Sequence, residues 1–411
     1  MSLHIHKPSL KIKIKNPTVS IFSLYCMLAI VLYVLPAVKV TVPYVFSGLF
    51  FLLFLLVSTT KDRLLRNSSI QLILATVLIF LVDFLALGVG PIDAINEAIR
   101  NIRFFIPVLW LAYFLRYSKE EEGKKILFFY SAIVIYMLIK TFAALRIDQW
   151  IPRIMAGDKS TESSAMRAYR MANVGGFEFS YMMGPIIIVL VWAALNSRNK
   201  WMRIVYWASA VISYYYVLRT MYTTLVLLTT IGIVCCFIWR IPSRRKRAVI
   251  LMLCLAAITL SPLLFEYLAS VFPEESLLSV KFGQIHDAMT GGGLDALGSR
   301  PAKIMKAIKN WSTAPIFGTG IMGLGTHSTF FGTLERNGLI GVASLVYLFI
   351  WAWKLLSQSI RRYDEQINLY VLSIVFLYLI LLGILNPIGY IFELPITVFF
   401  IIPVWMCRRK R

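Results

Sequence analysis

The sequence predicts an all-α polytopic membrane protein of about twelve transmembrane helices, and three observations carry that expectation. Hydrophobic residues make up 59% of the 411-residue chain and charged residues only 15%, against roughly 45–50% and 25% in soluble domains; mean hydropathy is +0.74. The apolar residues fall in runs of roughly 17–23, the length that crosses a bilayer as a helix. Basic residues gather in alternate connections between those runs.

Taken in order, spans are expected at 19–38, 42–58, 70–90, 100–116, 125–145, 179–195, 201–218, 220–239, 248–270, 338–357, 368–385 and 387–406. The first follows a Lys7-to-Lys15 cluster without a small-residue cleavage site, so it reads as an uncleaved anchor. Pro36, Pro107, Pro185, Pro262 and Pro395 fall in or near span ends, where neighbouring helices satisfy the freed carbonyls. The pair around Arg219 reads either as two helices or as one broken helix.

Orientation follows from lysine and arginine placement. With the N-terminus cytoplasmic, the cytoplasmic segments are 1–18, 59–69, 116–125, 196–203, 240–247, 354–367 and 407–411. They hold 26 of the 42 basic residues and 6 of the 20 acidic ones, a balance of +20 against +2 for the rest of the chain. Both termini are then expected in the cytoplasm. A pI of 9.9 spread over short loops is topogenic, and nucleic acid is not an expected partner. None of the five cysteines falls in an external loop, so neither a disulfide framework nor a metal site is expected.

The chain reads as one integral domain over 1–411, with two long external loops at 146–178 and 271–337. Long loops in a compact domain are usually functional. The second carries an amphipathic helix over 300–311. Lys303, Lys306 and Lys309 share one face, opposite Ile304, Ala307, Ile308 and Trp311, the pattern of a helix lying on a membrane surface. Pro301 suits its first turn, and Arg300 stands at an N-terminus able to bind phosphate.

Arg219, in Tyr214-Tyr-Tyr-Val-Leu-Arg-Thr-Met-Tyr222, interrupts two apolar runs. An arginine in hydrocarbon needs a partner or a water-filled cavity; it either snorkels in a tyrosine belt or serves as an inward anion ligand, and the second reading is favoured. Arg300 reads similarly, as a headgroup contact or an anion ligand. Arg167 and Arg170 in the first loop, and Arg100 and Arg103 three apart at the start of the fourth span, are further candidates for binding a substrate anion. Guanidinium groups hold phosphate bidentately and stay charged, so they can do the work of a metal. Asp148, Asp158, Asp287 and Asp295 are scattered, and Glu274 and Glu275 follow Pro273 in a turn, so no convergent carboxylates point to a metal. Asp83 and Lys140 lie inside apolar runs and are expected to pair or to line a cavity. His327, near the end of the second loop, has the side chain best suited to general-base work, although a loop histidine is often structural. His286 is a rival, and Glu335 could orient His327 or bind sugar hydroxyls. Gly318-Thr-Gly-Ile-Met-Gly323 matches a dinucleotide fingerprint literally but lacks a βαβ setting.

Four pieces in order resemble the O-antigen ligase and O-antigen polymerase superfamily. They are Val217-Leu-Arg-Thr220, Leu297-Gly-Ser-Arg-Pro-Ala-Lys303, Ala314-Pro-Ile-Phe-Gly-Thr-Gly320, and His327-Ser followed by Leu334-Glu-Arg-Asn-Gly-Leu-Ile-Gly341. The likeness is densest over about 165–345. It implies a C-type glycosyltransferase fold with its site on the periplasmic or extracellular face of the bacterial inner membrane. It also implies metal-free, cofactor-free, inverting transfer of a glycan from undecaprenyl diphosphate. Carried across, Arg219 and Arg300 bind the diphosphate, Arg170 assists, and His327 acts on the acceptor. Where the family often has His-Asn, Ser328 follows His327 here. The resemblance favours a polymerase over a ligase, because loop 271–337 is short beside the ligases and the His-Asn pattern is incomplete. A lipid-linked glycan flippase is the rival of a different class, though charges at one face without half-chain repeats speak against it. The partners implied are the carrier-linked glycan, membrane lipids and a chain-length regulator.

Overall fold

The computed structural model describes residues 17–41, 53–60, 63–148, 151, 155, 164–220, 222–240, 243, 245, 263, 265–273, 279, 282–283, 286–287, 300–320, 328–363 and 369–407. Every regular element among them is helical. His327, the Arg300 side chain, and most of the spans expected at 42–58 and 248–270 lie outside the described residues.

The chain opens with α1 (Pro17–Val34) and the short α2 (Pro36–Thr41). Next comes α3 (Arg63–Leu81), which runs into a π turn at Val82–Ala86. Gly90 and Pro91 then start α4 (Pro91–Tyr117), with Asp93 in its first turn and Arg116 in its last, each charge matching the helix dipole. α5 (Glu120–Ile147) has three glutamates in its first turn and Arg146 in its last. α6 (Ser164–Met171) lies in the first long loop, and α7 (Phe177–Asn196) follows it. α8 (Lys200–Thr220) and α9 (Thr223–Trp239) are two separate helices, with Arg219 in the last turn of the first. The second long loop carries α10 (Arg300–Thr313). α11 (Thr329–Tyr363) is broken at Gly338, with φ 61° and ψ −155°, where a span was expected to begin. α12 (Tyr370–Leu385) and α13 (Glu393–Cys407), joined by a 3₁₀ turn at Ile388–Tyr390, complete the fold.

Five helices among the described residues are long and apolar enough to cross a membrane: Arg63–Leu85, Pro91–Tyr117, Glu120–Ile147, Phe177–Asn196 and Thr329–Arg362. Large apolar side chains such as Phe128, 79% exposed, and Ile139 project outward from them. Water would penalise that surface, whereas lipid accepts it. The chain is therefore read as a membrane protein. α4 and α7 form the centre, their apolar windows 67% and 72% buried, and α13 packs between them with Phe399 and Phe400 fully enclosed.

Contacts at the helix ends fix which ends lie together. Ser23 donates to Glu122 at 2.8 Å, Trp405 meets Trp192 and Tyr206, and Trp239 stacks on Tyr370 at 3.9 Å. That end carries Lys119, Arg198, Arg240, Arg361 and Arg362 and is called here the basic end. The opposite, loop-bearing end holds the polar clusters described next.

Candidate functional site

The second loop is tied into a backbone crossing. Residues 315–320 run antiparallel to 335–340, with Thr319 N donating to Glu335 O (2.9 Å) and Gly320 N to Arg336 O (3.0 Å). In return Leu339 N donates to Pro315 O (3.0 Å) and Ile340 N to Ile316 O (3.3 Å). Two glycines make the approach possible. Gly318 and Gly338 have φ of +82° and +61°, and a Cβ on either would lie 2.3–2.4 Å from a carbonyl oxygen of the opposing segment. No L side chain fits there. α10 joins the crossing through Asn310, whose Nδ2 donates to Glu335 Oε1 at 2.6 Å, and α10 packs on α11 through buried Ala307. Glu335 is 0% exposed, and its Oε2 has no hydrogen-bond partner among the described residues. Its carboxylate thus holds α10 in place from inside the protein.

Beside the crossing lies a buried ion network. Arg336 donates through Nη2 to Asp83 Oδ2 (2.8 Å) and through Nη1 to Glu97 Oε2 (2.9 Å). Asn337 Nδ2 donates to the other Asp83 oxygen, and Arg100 pairs with Glu97 at 2.8 Å. The π turn carries Asp83 into this network; such turns recur at functional positions because they re-aim a side chain. Asp83 does not pair with Lys140, which is exposed and sits over the Tyr136 ring at 5.8 Å. A buried carboxylate needs donors, and Lys140 on the outer face of α5 cannot supply them.

A second cluster lies one turn further along the same face of α4. Arg103 Nε donates to Tyr33 Oη at 3.0 Å, and its guanidinium covers the Phe392 ring at 3.8 Å. Next to Phe392, Glu393 is 1% exposed and shares the Lys39 ammonium with Glu178. Lys39 comes from α2, Glu178 from the first turn of α7 and Glu393 from the start of α13, so three elements meet on one cation. Neighbouring Tyr181, one turn below Glu178, contacts Tyr222 at 5.6 Å and donates to Asn386 Oδ1 at 3.4 Å. Glu97, Arg100 and Arg103, three residues apart on α4, therefore border both clusters.

The remaining predicted residues occupy the same end. Arg219 is half-buried three residues before Tyr222, and Arg170 is half-buried at the end of α6, where Arg167 is exposed. Asn173 just after them adopts φ 57°, and its Oδ1 accepts from Ala37 N at 3.1 Å, which anchors the first loop to α2. Ser328 caps α11: its Oγ accepts from Phe331 N at 3.2 Å and donates to Gly383 O at 3.3 Å. Serine and asparagine serve this capping role equally well. Thr329 N and Oγ1 both donate to Asn386 O, fixing the chain immediately after His327.

Sequence reasoning passed over Arg336, Asn337, Glu97, Lys39, Glu178, Glu393 and Asn386. A signal was present for two of them: Glu393 is an acid inside an expected span, and Arg336 adjoins Glu335 in a quoted motif. Among the described residues no group of three or more His, Cys, Asp or Glu side chains could hold a metal ion. Neither a protein-family model nor a curated protein matches the chain.

Proposed function

We propose that the protein is a glycosyltransferase that polymerises surface-polysaccharide repeat units carried on undecaprenyl diphosphate, without a metal and with inversion at the anomeric carbon. The acceptor hydroxyl oxygen attacks that carbon, the bond to the diphosphate oxygen breaks, and undecaprenyl diphosphate departs with the electron pair. His327 takes the hydroxyl proton, while Arg219 and Arg300 meet the charge developing on the leaving group. Arg170, Arg167 and Arg100 extend the positive lining, and Arg103 and Glu335 hold their surroundings in position. The topology proposed is twelve spans in the bacterial inner membrane, with both termini cytoplasmic and the loop-bearing end outside.

One observation carries this reading. The motif segments Ala314–Gly320 and Leu334–Gly341 are hydrogen-bonded to each other, joined to the helix that Arg300 opens, and set at the same end as Arg219. Segments distant in sequence thus serve one place, as a shared site requires.

The test is a surface-glycan gel from a deletion strain complemented with wild-type or His327→Ala protein. Single-repeat glycan on its anchor in the variant supports polymerisation. Full-length polymer stranded on undecaprenyl diphosphate would make the protein a ligase, and an unchanged ladder would remove the enzymatic reading.

A further inference from the structure

α12 ends on Asn386, and Pro387 dictates how. A residue before proline is driven out of the helical region, and Asn386 is extended, with φ −147° and ψ 158°. Its backbone is fully used. The N–H donates to Leu382 O at 2.7 Å, and the carbonyl accepts from Thr329 N at 3.1 Å, Thr329 Oγ1 at 3.3 Å and Ile388 N at 3.0 Å. Thr329 follows His327 by two residues, so the chain leaving His327 is fixed on Asn386.

The side chain is used much less. Asn386 is 1% exposed, and its Oδ1 accepts a long bond from Tyr181 Oη, at 3.4 Å. Its Nδ2 has no hydrogen-bond partner among the described residues. A buried amide donor without an acceptor costs stability that a leucine of similar size would not. Exchanging the oxygen and nitrogen of the amide changes nothing, because the atom turned away from Tyr181 is still left over.

Three parts of the proposed site meet at this residue. Tyr181 packs on Tyr222 at 5.6 Å, three residues after Arg219. Thr329 brings the segment that carries His327. The turn after Pro387 brings Arg100, whose Cδ lies so close to Gly389 that a Cβ there would be 3.2 Å away. In inverting transfer the reacting sugar lies between its leaving group and the base, and Asn386 is joined to both sides. Arginines suit the diphosphate, which takes charged, forked donors. A neutral carboxamide beside a tyrosine suits an uncharged oxygen instead. A sugar hydroxyl accepts from the amide N–H or donates to its carbonyl. It displaces little on arrival, because the Tyr181 bond sits at the long limit of hydrogen bonding.

We propose that Asn386 is a sugar-binding residue, whose carboxamide hydrogen-bonds a hydroxyl of the sugar joined to the diphosphate. The placement of that sugar rests on the reading of Arg219 and His327 given above. The contact reads the glycan and is indifferent to the lipid carrier.

The test uses purified full-length protein in phospholipid nanodiscs, titrated with two probes and read by native mass spectrometry. One probe is the lipid-linked repeat unit extracted from host membranes, and the other is bare undecaprenyl diphosphate. The wild type is expected to prefer the glycan-bearing lipid. Asn386→Leu should lower that preference about tenfold without weakening the bare carrier. Its thermal midpoint should equal or exceed that of wild type, because an apolar side chain removes the unpaired donor. A purely structural asparagine would lower the midpoint and keep the preference. Asn386→Ala is the second variant if the leucine protein fails to fold. Arg219→Ala should weaken both probes alike, since both carry the diphosphate. Equal binding of the two probes by wild type, or unchanged preference in the Asn386 variants, would overturn the proposal. An Asn386-dependent glycan preference, in a strain whose polymer ladder ignores the protein, would sink the proposed function and leave the sugar contact standing. A ladder that depends on His327, with a preference that ignores Asn386, would do the reverse.

Discussion

The pairing of Asp83 with Arg336 offers the sharpest test of how the loop-bearing end is held. Asp83 is 0% exposed and accepts from Arg336 and Asn337, so Asp83→Leu takes from the buried Arg336 guanidinium one of its two carboxylate partners among the described residues and leaves it Glu97. Removing one partner of a buried ion pair costs about 3–5 kcal/mol, and the surviving Glu97 contact at 2.9 Å places this substitution near about 3 kcal/mol. Arg336→Met should cost about as much, because it strands Asp83 beside Glu97. Replacing both at once leaves no uncompensated charge at Asp83, so the double variant should fall only about 1–2 kcal/mol below wild type. The coupling energy of the cycle is then about 4–5 kcal/mol. Thermal unfolding in detergent, followed by tryptophan fluorescence and size-exclusion recovery for all four proteins, measures it. Additive losses, with coupling under about 0.5 kcal/mol, would refute the claim that the two residues act as one buried pair.

Four further outcomes are expected. Gly318→Ala or Gly338→Ala should each cost about 3 kcal/mol or more, through forbidden φ and backbone collision, seen as loss of monodisperse protein; near-normal recovery would refute the crossing. Ser328→Ala should cost about 1 kcal/mol and Ser328→Asn almost nothing, read from thermal midpoints. Lys39→Met should destabilise by about 3–5 kcal/mol and regain part of that with Glu393→Gln, whereas no regain would mean that Lys39 acts elsewhere. Arg219→Ala should lower turnover about 10²–10³-fold in a folded protein, and near-normal turnover would remove Arg219 from the site.

Much of the helical framework was legible because hydrocarbon imposes a single local rule, apolar residues for a full bilayer depth. Where that rule stopped, reading stopped too. The span expected at 100–116 begins at Pro91, since Asp93, Glu97 and Arg100 break the apolar run but two of them find charged partners in the fold. Those partners are remote: Asp83 and Arg336 lie 253 residues apart and Lys39 and Glu393 lie 354 apart, and no periodicity links such positions. Asp83 and Lys140, as the charges inside apolar runs, were expected to pair or to line a cavity, but α5 turns Lys140 outward and Asp83 pairs with Arg336. Arg219 was legible as an exception within its run, and α8 ends at Thr220, one residue beyond it, while α9 starts separately at Thr223. The pairing of Gly318 with Gly338 was not legible, because positive φ arises from two segments meeting rather than from either alone.

The neck of the second loop has a consequence for how such a protein can change. Gly320 is fastened to Arg336, and Ser328 and Thr329 are fastened to α12 and Asn386, so residues 321–327 are joined at both ends to framework that does not depend on their sequence. The two fastened edges are set by α11 and α12 themselves, so sequence changes between Gly320 and Ser328 need not disturb the packing of the helices beneath.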